Sequence, residues 1–171
     1  RRKWVKEVKE KSFTKIYSLN ERLKELKKIS KRKNFRFINL DLTNYKKTSS
    51  LIKKFKPDII FHLAAQPSAP YANSNPQRAT YTNYNNNQST LNMLWALKKN
   101  NLLKTIFVET TTTGVYGTPD FNINEGFNIL NKNPIPFHNL GGSWYHISKS
   151  NDCNYLSVSY THLTLPTRNC V

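Results

Sequence analysis

The chain has 171 residues, 37% of them apolar and 12% aromatic, which is the size of one domain and enough to bury a core. No apolar run nears the roughly 20 residues of a membrane span, no signal peptide is visible, and Cys153 and Cys170 have neither metal-ligand nor disulfide-framework spacing. A membrane protein, a disulfide scaffold and a cysteine-ligated metal protein are therefore not expected, and a reducing cytoplasm is the default (a plastid, if the source is a photosynthetic eukaryote).

The formal charge of +17 is local. Residues 1–56 hold 20 Lys and Arg against 5 Asp and Glu, and the remaining residues hold 7 against 5. Runs such as Lys27-Lys28 and Lys31-Arg32-Lys33 suit a phosphate backbone. No aromatic-interleaved RNA motif accompanies them. A solvated lysine surface is the plainer reading and no nucleic acid is expected as a partner. A basic nucleic-acid-binding protein remains the alternative of another class.

Residues 3–11 and 20–33 are helical in pattern, the second with an apolar stripe at Leu23, Leu26 and Ile29. Residues 35–40 are β-rich and end at Asp41. Residues 46–56 read as a helix stopped by Pro57. Residues 58–65 form a continuous apolar run, as in a parallel strand covered on both faces. Residues 76–100 read as a long helix ended by Asn100-Asn101, and residues 105–110 as a second buried strand. A loop rich in Asn, Pro and Gly fills about 118–142, and a helix then carries Tyr145 and Lys149. Strands alternating with helices predict an α/β fold with a doubly wound parallel sheet.

In such sheets ligands collect beyond the carboxyl ends of the strands. Those ends are Asp41-Leu42, Ala64-Ala65-Gln66 and Thr110-Thr111-Thr112. Tyr145 and Lys149 are spaced i, i+4, about 6 Å apart at Cβ on one helix face. That spacing predicts a lysine that lowers the tyrosine pKa and makes the phenol a general base. The four histidines form no metal spacing, and no metal is expected. His62 reads as a core histidine, His138 as a solvated loop residue and Cys153 as a small helix residue.

Together these stretches resemble the extended short-chain dehydrogenase/reductase superfamily, the NAD-dependent epimerases and dehydratases of nucleotide sugars. The residues that carry the likeness are Asp41-Leu42, Phe61-His62-Leu63-Ala64-Ala65-Gln66, Asn86 with Thr90-Leu91-Asn92, Thr112 four residues before Tyr116, and Tyr145-x-x-x-Lys149. Within the superfamily they are most similar to the UDP-sulfoquinovose synthases of sulfolipid biosynthesis. That likeness lies in Ser68-Ala69-Pro70-Tyr71, Arg78-Ala79-x-Tyr81-Thr82-x-x-Asn85-Asn86, Thr112-x-Gly114-Val115-Tyr116-Gly117 and Tyr145-His146-Ile147-Ser148-Lys149.

The resemblance implies a Rossmann-type fold, NAD as cofactor and a UDP-sugar as substrate. It implies Thr112, Tyr145 and Lys149 as catalytic residues. It implies Asp41, Leu42, Ala64, Ala65, Gln66, Asn86 and Thr110, with Tyr145 and Lys149, as cofactor contacts. Ser68, Arg78, Thr112 and His146 are the implied substrate contacts. The implied reaction oxidises UDP-glucose at carbon four, removes water across carbons five and six, adds sulfite at carbon six and restores the hydride. A UDP-sugar 4-epimerase is the alternative. The Asp-Glu pair that follows the catalytic Thr in sugar 4,6-dehydratases is Thr113-Gly114 here, which counts against that third activity. The family's usual homodimer is expected of the full-length form.

Other departures fall at Pro67, where the synthases carry Arg, and at Thr111 and Thr113, where they carry Gly and Met. The superfamily's first strand and Gly-rich loop are missing, since none of the 5 glycines forms G-x-x-G-x-x-G. A partial Rossmann-like domain is therefore expected over residues 1–157, a fragment inactive by itself. Residues 158–171 look like translated adapter sequence and are expected to be a non-native tail.

Overall fold

The computed structural model describes residues 17–29, 34–118, 127–130, 133–136 and 141–163. The expected helix at 3–11 lies outside them. The chain divides into two units, residues 1–40 and residues 41–171.

In the first unit, helix α1 spans Leu19–Ile29. Ser18-Leu19-Asn20-Glu21 starts it as a capping box: Glu21 N–H donates to Ser18 Oγ at 3.2 Å and Ser18 N–H to Glu21 Oε2 at 2.6 Å. The stripe expected on this helix buries no residue. Residues 35–40, expected as a strand, join no strand ladder among the described residues. β-rich composition makes a strand only where a neighbour accepts its hydrogen bonds.

The second unit holds the sheet. Helix α2 (Tyr45–Phe55) is capped by Asn44, whose side chain accepts from Lys47 N–H. It ends at Lys56 in the left-handed region (φ 45°), before Pro57, which disfavours helical backbone at the preceding residue. Strand β1 (Ile59–His62) pairs in parallel with β2 (Ile106–Glu109), with Ile59 opposite Ile106 and His62 opposite Glu109. Between them lie the short α3 (Ala69–Asn73) and the long α4 (Pro76–Lys99), which Asn75 and Pro76 start and Asn100 and Asn101 end. A 3₁₀ turn covers Thr113–Tyr116, and α5 runs unbroken over Trp144–Leu163, with Ser159 buried.

The core is built from Ile52 of α2, Met93, Leu94, Ala96 and Leu97 of α4, Phe107 of β2 and Leu156 of α5, with Ile60 packed against it. Alternation along the strands sends Ile60, His62, Phe107 and Glu109 to that side. The opposite face leaves Ile59, Phe61 (65% exposed), Leu63 and Ile106 open. The α/β fold with a parallel sheet is as expected; among the described residues of this unit the helices that build the core pack on one face of the strand pair. The expected loop at 118–142 also contains a hairpin, β3 (Phe127–Leu130) with β4 (Asn133–Pro136). Pro134 and Pro136 hide β4 from a sequence reading, because proline lacks the donor a ladder uses.

Core and surface positions on α4 differ in cost. Leu97→Ala, at a fully buried site, is expected to lower stability by about 2–5 kcal/mol in urea unfolding. Trp95→Ala, two residues away and 51% exposed, is expected to change it by about 0.5 kcal/mol or less.

Candidate active site at the strand ends

The ends of β1 and β2 meet the first turns of α5, and a buried charge cluster lies there. Lys149, 2% exposed, gives its ammonium to two carboxylates. It bonds Glu109 Oε1 from the last residue of β2 and Asp152 Oδ2, at 3.0 Å, from its own helix. Asn87 of α4 steadies the pair from the side, donating to Asp152 Oδ1 at 3.1 Å and to the Ser148 carbonyl at 2.7 Å. The other oxygen of Glu109, Oε2, is buried without a hydrogen-bond partner among the described residues. It lies 3.8 Å from His62 Nε2, which also approaches Ser89 Oγ at 3.3 Å.

Burial decides the protonation states. It pushes Glu109 up to about 8 against the pull of Lys149. Burial and then the charge of Lys149 push His62 down to about 4, so the ring is neutral. Burial also works against the charge of Lys149, but Asp152 and Glu109 outweigh it and hold the ammonium above its ordinary value.

Tyr145 lies one helical turn before Lys149, half-buried, with the Thr112 side chain among the groups that pull its pKa down. Thr112 is fixed in turn as the cap of the 3₁₀ turn, accepting from Gly114 N–H at 3.3 Å. The expected lowering of the Tyr145 pKa is corrected here. Burial raises it, Lys149 lowers it, and Asp152 and Glu109 raise it again, so the phenol stays above its ordinary value. A lysine already shared by two carboxylates has less field to spare for a third group.

Asn86 ties the β1 end to α5. Its Oδ1 accepts from Gln66 N–H at 2.7 Å, and its Nδ2 donates to the Gln66 carbonyl and to Ser148 Oγ. Ala64 and Ala65 are exposed beside it, as is Thr110 across the sheet. Ser68 caps α3 by accepting from Tyr71 N–H and donates its own N–H to Gln66 Oε1. Arg78 reaches Ser74 Oγ at 3.0 Å and lies over the Tyr71 ring. Asp41 closes a turn on Thr43, whose hydrogen bonds hold the carboxyl below its usual value. Asn92 of α4 fixes the Leu42 and Thr43 carbonyls at 2.8 Å each.

The His146 ring packs where a Cβ on Gly114 would be: such an atom would lie 2.2 Å from His146 Nε2. His146 Nδ1 is buried and has no hydrogen-bond partner among the described residues.

Thus Thr112, Tyr145 and Lys149 lie in one region, with Asn86 and Gln66 alongside. Glu109, Asp152 and Asn87 were not singled out from sequence, and Asn92 entered only as part of the family likeness. Two had a signal: Glu109 is a charge inside an apolar strand, and Asp152 stands three residues after Lys149 on one helix face. Asn87 was masked by the Asn-rich run around it.

A parallel sheet with helices packed on it and a polar cluster beyond its strand ends is the arrangement of a Rossmann-type fold. The profile of the family described as GDP-mannose 4,6 dehydratase matches residues 4–149, and the chain belongs to this family, within the extended short-chain dehydrogenase/reductases. The chain is 33% identical over 123 residues to the chloroplastic UDP-sulfoquinovose synthase of Spinacia oleracea, covering 70% of this chain and 25% of that protein. It is 38% identical over 122 residues to the UDP-sulfoquinovose synthase of Sulfolobus acidocaldarius, covering 68% and 30%. Among solved structures, the UDP-glucose 4-epimerase of Thermus thermophilus in complex with NAD superposes with a TM-score of 0.60 at 26% identity, covering 80% of this chain and 42% of that one. The chain therefore spans between a quarter and a third of the length of these curated relatives.

Two outcomes test the geometry. Gly114→Ala is expected to lose about 1–3 kcal/mol in urea unfolding, because the His146 ring must move. Gly142→Ala meets nothing within 4 Å and is the control. For His62 the folded pKa lies below the unfolded one, so its contribution is complete above pH 6.5 and is lost as pH falls through about 4. The loss reaches about 3 kcal/mol, and His62→Gln should flatten that part of the stability–pH profile.

Proposed function

We propose that this chain belongs to an NAD-dependent enzyme that remodels the hexose of a UDP-sugar, and that its reaction is that of the UDP-sulfoquinovose synthases. The observation that carries the reading is Tyr145, with the Thr112 side chain beside it, one turn from the buried Lys149 and beyond the ends of two parallel strands. The identities of 33% and 38% to two such synthases support the choice of substrate.

The residues present suit the cofactor. Ala64, Ala65 and Thr110 are small and exposed at the strand ends, and Asn86 holds the Gln66 peptide rigidly between them. Asp41, Leu42 and Thr43 form a fixed turn at a third chain segment. NAD, when bound, supplies a hydride acceptor that can later return the hydride.

The chain's own groups supply the rest. Thr112 orients a sugar hydroxyl, and Tyr145 takes its proton. Two of the three N–H donors of Lys149 go to carboxylates, which leaves one for a ribose hydroxyl. The His146 ring is placed beside Tyr145, 5.5 Å between centroids, as a further substrate contact. Ser68 and Arg78 flank the β1 end as further substrate contacts.

A UDP-sugar 4-epimerase is the second reading, favoured by the likeness to the Thermus thermophilus enzyme and by Thr113-Gly114 in place of an acid pair. The whole protein, incubated with UDP-glucose, NAD+ and sulfite, is expected to give a sulfonated UDP-hexose by mass spectrometry. Tyr145→Phe should slow its formation by about 10²–10⁴-fold. UDP-galactose formed regardless of sulfite would move the protein to the epimerases, and neither product would overturn both readings.

A further inference from the structure

The proposed chemistry uses Thr112, Tyr145 and Lys149, and it leaves one buried acid without a task. Glu109 ends β2 with a side chain only 1% exposed. One oxygen holds Lys149, and the other has no hydrogen-bond partner among the described residues. A buried carboxylate oxygen left bare costs on the order of 1–3 kcal/mol or more, so a purely structural anchor is a poor account of it. Asp152 already anchors Lys149, and its own second oxygen is satisfied by Asn87. The two acids are therefore not equivalent.

We propose that Glu109 is a positioning residue for Lys149 whose own proton sets how much of the ammonium's field reaches Tyr145. With Glu109 neutral, the cluster holds one cation, Lys149, and one anion, Asp152. Lys149 is then shared with a single carboxylate, and its field favours the Tyr145 phenolate. With Glu109 ionised, two anions compete for one cation, and the phenol keeps its proton. The groups that face Glu109 are Lys149, Asp152 and Cys153 of α5 and His62 of β1. His62 is neutral at the pH of interest, so it adds no charge to the balance. The acid's high proton affinity, from burial, places the change near neutrality.

The inference rests on Tyr145 acting as base, and its test needs neither sugar nucleotide nor cofactor. A failed product assay therefore leaves it standing. In the unaltered chain, labelled with ¹³C at the glutamate carboxyl and the tyrosine ζ carbon, one glutamate should titrate well above the others, near pH 8. The Tyr145 resonance, identified by its loss in Tyr145→Phe, should titrate above the ordinary tyrosine value. Glu109→Gln should remove the high glutamate transition and lower the Tyr145 midpoint by a unit or more, a tenfold gain in ionisation. Glutamates that all titrate below about pH 5.5 would overturn the proposal, and that reading does not depend on the variant folding. A Tyr145 midpoint unchanged in folded Glu109→Gln would overturn it as well.

Discussion

The buried ammonium of Lys149 is the constraint around which the site is assembled. A charge taken out of water costs several kcal/mol unless it is paired and its partners are themselves satisfied. Glu109 and Asp152 provide the pairing, one from a strand and one from the same helix. The pairing therefore fixes α5 against the end of β2. Its reach extends to α4, because Asp152 needs the Asn87 amide to complete its own hydrogen bonding. Tyr145, one turn back, inherits its position from a lysine that cannot move without stranding two carboxylates.

Helix α4 shows how one element serves both the core and the site. Its later half sends Met93, Leu94, Ala96 and Leu97 into the apolar core. Its middle buries Asn86, Asn87, Ser89, Thr90 and Asn92 instead. Each of these amides has a defined load: Gln66 and Ser148 on Asn86, Asp152 on Asn87, and the Leu42 and Thr43 carbonyls on Asn92. One helix thus holds the Gln66 segment, the Leu42-Thr43 turn and the first turns of α5. Buried amides of this kind stabilise little beyond satisfying their partners, but they fix where those partners stand.

Much of this was legible in the sequence where a local rule decides. Pro57 and Asn101 ended helices, and the apolar runs around Ile59 and Ile106 gave the two paired strands. The i, i+4 spacing put Tyr145 and Lys149 on one face. What sequence could not show is which groups the fold sets opposite each other. Glu109 and His62 are 47 residues apart and become register neighbours only through a parallel ladder. The sign of the Tyr145 shift follows first from burial and then from Asp152 and Glu109, while the helix spacing shows only the lysine that opposes them. Residues 35–40 and β4 failed in opposite directions for one reason: strand identity is decided by the neighbour, not by the segment.

The resting site is thus held away from reaction rather than poised for it. Burial is the largest restraint on the Tyr145 proton, Asp152 adds to it, and Glu109 adds to it once ionised. That balance can change only through the groups of the cluster, and Asp152 is locked by two partners. His62 stays neutral until well below neutral pH. The single group with an open oxygen and a proton affinity near neutrality is Glu109. The acidity of the proposed base is therefore written at the end of a strand, in an acid that reaches Tyr145 through Lys149.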